Sequence, residues 1–155
     1  MVIKSRTVCF ILLVLFITSC ANNQRGRFKA KDIKNNKCIV IQEDEDIAPY
    51  AGKLIELEGY ISYRFEEGAI YGSLRDLKKI NYKNALWLCP IVPEKDTIGG
   101  YGENNRYIDD ITGKRNKKQV VLSGYIDTSV HGHNGYYKGC FSYFNIRDGK
   151  IKDCP

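Results

Sequence analysis

The stretch Lys53-Leu54-Ile55-Glu56-Leu57-Glu58-Gly59-Tyr60-Ile61-Ser62-Tyr63-Arg64-Phe65 decides the fold. Ile55, Leu57, Gly59, Ile61, Tyr63 and Phe65 point one way, and Glu56, Glu58, Tyr60, Ser62 and Arg64 the other. Apolar residues recurring at every second position over this length mark a strand with one face in a core. Glu66-Glu67-Gly68 turns the chain, and Ala69 to Leu74 returns as its hairpin partner. A short helical or turn segment, Arg75 to Lys79, leads into a third strand, Ala85 to Cys89, stopped by Pro90.

Working outward, Pro93 to Lys118 is a Gly- and charge-rich excursion, with a helical turn expected near Tyr107 to Ile111. A fourth strand follows over Gln119 to Thr128, with Val120, Leu122, Gly124 and Ile126 inward. The loop His131-Gly132-His133-Asn134-Gly135 leads to a fifth strand, Tyr137 to Arg147. There Phe141 and Tyr143 share one face, Phe144 and Ile146 the other. Ahead of the first strand, Glu43 to Tyr50 reads as a short helix whose acids suit its positive N-terminal end. Leu57-Glu58-Gly59-Tyr60-Ile61 and Leu122-Ser123-Gly124-Tyr125-Ile126 echo each other, and glycine inside a strand permits the bend that closes a small barrel. The expectation is an all-β protein with minor α content: a five-stranded OB-like barrel, a short helix before the first strand and a long strand 3–4 connection.

The whole chain has 155 residues, 43% hydrophobic and 27% charged, which excludes wholesale disorder and a multi-span membrane protein. At its start, Lys4 and Arg6 precede the apolar run Val8 to Ile17, then Thr18, Ser19 and Cys20. That is the layout of an export signal. A spanning helix needs about 20 apolar residues, twice what is present. Ile17-Thr18-Ser19-Cys20 looks like a bacterial lipobox, which would make Cys20 the lipidated N-terminus; simple secretion is the rival. The domain reading is therefore 1–19 lipoprotein signal peptide, 20–37 lipidated flexible tether and 38–155 barrel. Ala21 after the Cys favours, by resemblance to enteric sorting rules, the outer membrane of a bacterial envelope.

Loss of residues 1–19 removes Lys4 and Arg6 and no acid, lowering the formal net charge from +6 to +4. Most of the surplus lies in the tether, as Arg25, Arg27, Lys29, Lys31, Lys34 and Lys37 against Asp32. A solvated spacer is the plain reading, with a weak pull toward anionic headgroups. Nucleic acid is the poorest partner, because an exported protein rarely meets it.

Cys9 leaves with the signal and Cys20 carries lipid, leaving Cys38, Cys89, Cys140 and Cys154. An even number in an exported chain reads as disulfides, with three possible connectivities. Zinc competes less well, since no C-x-x-C pair occurs.

Tyr50-Ala51-Gly52-Lys53 leading to Glu58-Gly59-Tyr60, then Asn84-Ala85-Leu86-Trp87-Leu88, Ser123-Gly124 and Gly132-His133-Asn134-Gly135 with Gly139, resembles a group of uncharacterised bacterial OB-like lipoproteins and exported proteins. The resemblance covers residues 38–148 and implies a fold but no established chemistry. In an OB barrel strands three and five are neighbours, so Cys89 and Cys140 come within bonding reach. Cys38 and Cys154 then tie the two ends together.

Catalytic readings are poorly supplied. His131 and His133 have a spacing open to a metal, but zinc asks for three or four ligands and no neighbour supplies the rest. Ser129 is only adjacent in sequence to His131, and no nucleophile-elbow pattern accompanies it. Glu66 and Glu67 read as a solvated turn rather than a paired-carboxylate site. Lys114-Arg115-Asn116-Lys117-Lys118 reads as a solvated loop, with no phosphate-cradling glycine motif beside it. No cofactor is implied.

Aromatic residues are the stronger signal: eleven Tyr, six Phe and one Trp. Tyr63, Phe65, Phe141 and Trp87 suit the core. Tyr71, Tyr82, Tyr136 and Tyr137, with Arg64, Arg75, His131 and His133, fall where OB barrels bind ligands. The expected function is a non-enzymatic, lipid-anchored envelope domain that presents this face to a protein or glycan. An envelope immunity or inhibitor lipoprotein is the alternative, and a small hydrolase or nuclease on the same barrel stands third.

Overall fold

The alternation of residues 54–64 is realised as the longest strand of the structure, a computed structural model that describes residues 27–64, 67–91 and 115–154, with backbone alone at 64, 67 and 90. In chain order the elements are β1 (Phe28–Asp32), β2 (Lys37–Ile41), β3 (Leu54–Arg64), β4 (Glu67–Tyr71), helix α1 (Leu74–Lys79), β5 (Ala85–Pro90), β6 (Gln119–Asp127) and β7 (Cys140–Asp148). The sheet runs β3-β4-β5-β7-β6, and β6 pairs back onto β3 from Leu54↔Tyr125 to Tyr60↔Gln119. That pairing closes a five-stranded barrel. Each of its contacts is antiparallel except β5 with β7, which is parallel.

The inward residues are those the alternation selects. Ile55, Leu57, Ile61, Ile70, Leu86, Leu88, Val120, Leu122, Ile126, Phe141 and Tyr143 form one buried cluster. Burying each such side chain contributes roughly 1.5–3 kcal/mol before the entropy of ordering is counted. The β6–β7 ladder shifts register between Ser123 and Gly124, where β7 holds the extra residue Phe144 opposite the second Gly of the sequence echo.

Two strands precede the barrel, the first of them where a tether was expected. β1 pairs with β2 and with β3, from Lys29↔Glu58 to Asp32↔Ile55, so the span 20–37 is not spacer throughout. Phe28 and Ala30 are buried and extend the core, while Lys29 and Lys31 take the alternate positions. The lysines made the segment look solvated, but charge on one side of a short strand is compatible with core packing on the other. Residues 1–26, including the expected signal, Cys20 and the start of the tether, lie outside the described residues, as do Phe65, Glu66 and most of the strand 3–4 excursion.

The expected helix over Glu43 to Tyr50 is reduced to a single 3-10 turn at Ala48–Tyr50 with Pro49 inside it. The backbone before it is already committed. Lys138 Nζ donates to the carbonyls of Gln42, Glu43 and Glu45, and Gln42 N donates to the Glu45 carboxylate at 2.8 Å. Carbonyls held by an ammonium are less free to accept a helical bond. Burial lowers the Lys138 pKa, opposed by the carboxylates of Asp44, Glu45, Glu43 and Asp46.

Glu45 also accepts from the Tyr50 hydroxyl at 2.7 Å. The Gln42 amide first, then the Tyr50 hydroxyl, hold its carboxyl below the ordinary glutamate value. A folded-state value below the unfolded one stabilises above the unfolded pKa and is lost as pH falls through the folded pKa. In Tyr50→Phe, the Glu45 carboxyl midpoint followed by NMR is expected to rise toward the ordinary value. An unchanged midpoint would mean the phenol contributes nothing there.

Two disulfides are formed. Cys89–Cys140 links neighbouring β5 and β7 with a Cα–Cα distance of 6.3 Å, and Cys38–Cys154 fastens β2 to the C-terminal segment at 5.7 Å. Non-reducing peptide mapping recovers those two pairs, and a Cys38–Cys89 fragment would contradict the fold.

Candidate functional site

Leu86 and Leu88 of β5 point into the barrel, so Ala85 and Trp87 take the opposite face. In register beside them lie Ala69 and Tyr71 of β4 (Ala69↔Trp87, Tyr71↔Ala85), and Tyr60 of β3 faces Tyr71. This outer face of β3-β4-β5 carries a second small core. Ala69, Tyr71 and Ala85 are buried there by Leu77 from α1 and by Tyr137 from the loop between β6 and β7.

Local chemistry explains both covers. Ser73 caps α1 by accepting from Asp76 N at 3.1 Å, and Ile80 ends it in a left-handed conformation. Buried Asp76 then accepts from Asn81 Nδ2 at 3.1 Å and Asn84 Nδ2 at 3.3 Å, fixing the turn that carries Tyr82. In the other cover, Asp127 accepts from Ser129 N at 2.8 Å and Ser129 Oγ at 2.6 Å. These bonds hold the Asp127 carboxyl below the ordinary aspartate value. His131 Nδ1 lies 2.9 Å from the Tyr137 carbonyl, which can only accept, so that nitrogen carries the proton.

The result is a continuous aromatic array. Tyr136 stacks on Tyr82 with centroids 6.1 Å apart at 27°. Tyr82 meets Tyr137 edge-on at 5.2 Å, Tyr137 meets Trp87 at 5.3 Å, and Trp87 meets His133 at 5.1 Å. Such edge and offset geometries follow the ring quadrupoles and fix the rings relative to one another. Tyr136 is 62% exposed and His133 is exposed, while Tyr82 and Trp87 are half-buried.

Two residues placed on the binding face by sequence are instead structural. Tyr71 and Tyr137 are buried, 3% and 5% exposed, and support the array from beneath. Their strand alternation gives a direction, but not that α1 and a loop would cover them. Trp87, assigned to the core, stands half-exposed on the outer face. Its position between inward Leu86 and Leu88 was the available signal. Arg75 is exposed on α1, and the Arg64 side chain lies outside the described residues.

The nucleophilic and anion-gripping arrangements take other forms. Ser129 Oγ donates to Asp127, so its hydroxyl is committed to a turn. Arg115 pairs with Asp148 at 3.0 Å, and Lys117 N and Lys118 O bond the Ile61 backbone, so this part of the basic run pins the end of the excursion to β3. Lys114 lies outside the described residues. Among the described residues no three His, Cys, Asp or Glu side chains gather in a way that would hold a metal ion. The chain matches no family model, no curated protein and no solved structure.

Proposed function

We propose that this protein is a non-catalytic glycan-binding module of the bacterial envelope, held there by a lipid on Cys20, with Tyr82, Trp87, His133 and Tyr136 as its docking platform. The observation that carries the reading is the exposed Tyr136 ring stacked on Tyr82 at one end of an interlocked array that ends at His133. Rigid aromatic faces offer large contact area at small entropic cost, and tyrosine and histidine tips add hydrogen bonds that orient a sugar ring. The export-like start of the chain and two disulfides agree with an oxidising compartment.

Trp87 is the only tryptophan in the chain and belongs to the array, so its fluorescence reports occupancy directly. Titration with soluble peptidoglycan fragments is expected to give a saturable change. Tyr136→Ala weakens it by about tenfold, a loss of about 1.4 kcal/mol. The same change shifts folding stability by less than about 0.5 kcal/mol because the ring is mostly exposed. Wild-type affinity in Tyr136→Ala, or a flat titration, would exclude the platform as a glycan site. Mass spectrometry of the mature N-terminus tests the anchor separately.

A further inference from the structure

Where β3 changes partners, a second feature opens on the opposite side of Glu58 and Tyr60 from the barrel core. β3 pairs with β1 up to Glu58 and with β4 from Tyr60 onward. A cleft of about 330 Å³ lies at this seam, lined in part by Arg27, Lys29 and Lys150. Arg27 and Lys29 come from the start of β1 and Lys150 from the segment after β7, and the fold alone unites them.

Glu58 is the only carboxylate among the lining residues, and it is spoken for. It is 8% exposed, with Oε1 accepting from Gln119 Nε2 at 2.8 Å and Oε2 from Ile151 N at 2.9 Å. Lys29 stands opposite Glu58 in the β1–β3 ladder, one cation against one carboxylate. Arg27 and Lys150 remain as a surplus of two positive charges.

Their supports are rigid. A Cβ on Gly72 would lie 2.8 Å from the Arg27 carbonyl, so the end of β4 and the start of β1 are in close backbone contact. The Lys150 carbonyl accepts from Arg147 Nη1 at 2.9 Å, and the next residue is tied to Glu58. A cleft walled by protein concentrates the field of such charges. A guanidinium fork and an ammonium lining one cleft from separate segments suit a tetrahedral oxyanion, which accepts from several directions at once.

We propose that this cleft binds a phosphate group, with Arg27 and Lys150 as its principal donors. Such a group arrives either on a phospholipid headgroup or on a soluble phosphate ester. The site is separate from the aromatic platform and stands or falls without it.

The test is an amide NMR titration of the full chain in neutral detergent with glycerol 3-phosphate, with sodium chloride at matched ionic strength as control. Saturable shifts are expected at Tyr60, Gly72, Gln119 and Lys150, with Trp87 fluorescence unmoved. Arg27→Gln and Lys150→Gln each weaken binding by about tenfold, the scale of one charge-assisted hydrogen bond. Lys34→Gln, in the exposed β1–β2 turn, leaves it unchanged. Nanodiscs of phosphatidylglycerol compared with phosphatidylcholine separate the sources: a response to the former as well as to the ester assigns a lipid headgroup, and a response to the free ester with none to either nanodisc assigns a soluble ligand. Shifts reproduced by chloride, no saturation with either phosphate source, or wild-type affinity in both glutamine variants with otherwise unchanged spectra would overturn the proposal.

Discussion

Replacing Cys38 and Cys154 together by alanine is expected to lower the folding free energy by about 5 kcal/mol in urea unfolding at neutral pH. The bridge closes a loop of sequence separation 116, and the entropy removed from the unfolded chain grows with the logarithm of that length. The Cys89–Cys140 bridge, of separation 51, is worth about 4 kcal/mol by the same argument. The first loss also has a local consequence. β2 is bonded to β1 alone within the sheet, so the bridge is the covalent tie that holds the N-terminal hairpin against the C-terminal segment. Amide exchange in β1 and β2 is therefore expected to quicken more than exchange in β6. A loss under about 1 kcal/mol, or uniform exchange, would mean that hairpin packing on β3 suffices.

Gly124→Ala is the second large effect, about 3 kcal/mol of destabilisation. A Cβ there would lie 2.1 Å from the Ser142 carbonyl oxygen and 2.8 Å from Tyr143 Cα, both backbone atoms of the neighbouring strand. Neither can rotate away, so relief means opening the β6–β7 ladder at its bulge. Gly68→Ala is the matched control. Its nearest neighbour is a Tyr63 ring atom at 3.3 Å, a side chain that can yield, and the cost stays under about 1 kcal/mol. Equal losses in the two variants would show that the cost is a general glycine effect and not a backbone collision.

The barrel strands were legible because each keeps its apolar period: Ile55, Leu57 and Ile61 in β3, Val120, Leu122 and Ile126 in β6, Phe141 and Tyr143 in β7. β1 was missed because five residues are too few for periodicity to outweigh two lysines. The helix expected before β3 failed for a different reason. Its acids satisfy the local rule for a helix start, but a lysine 93 residues away in sequence from Glu45 binds the carbonyls the helix would use.

The candidate site was half legible. Tyr136 and His133 stand exposed as a polar loop implies, whereas Tyr71 and Tyr137 point to the same outer face and are buried on it. Alternation assigns a side chain to a face of a sheet. It does not say what else will be laid over that face.

The amino-acid order alone determined where the five barrel strands run and which of their residues face the core, since these follow from local backbone geometry and a two-residue period. The tertiary structure decided how the strands pair to close the barrel, which tyrosines are platform and which are foundation, which carboxylate is buried and which cations line one cleft. Those outcomes depend on contacts such as Glu58 with Ile151 and Tyr82 with Tyr136, between positions that no local pattern relates.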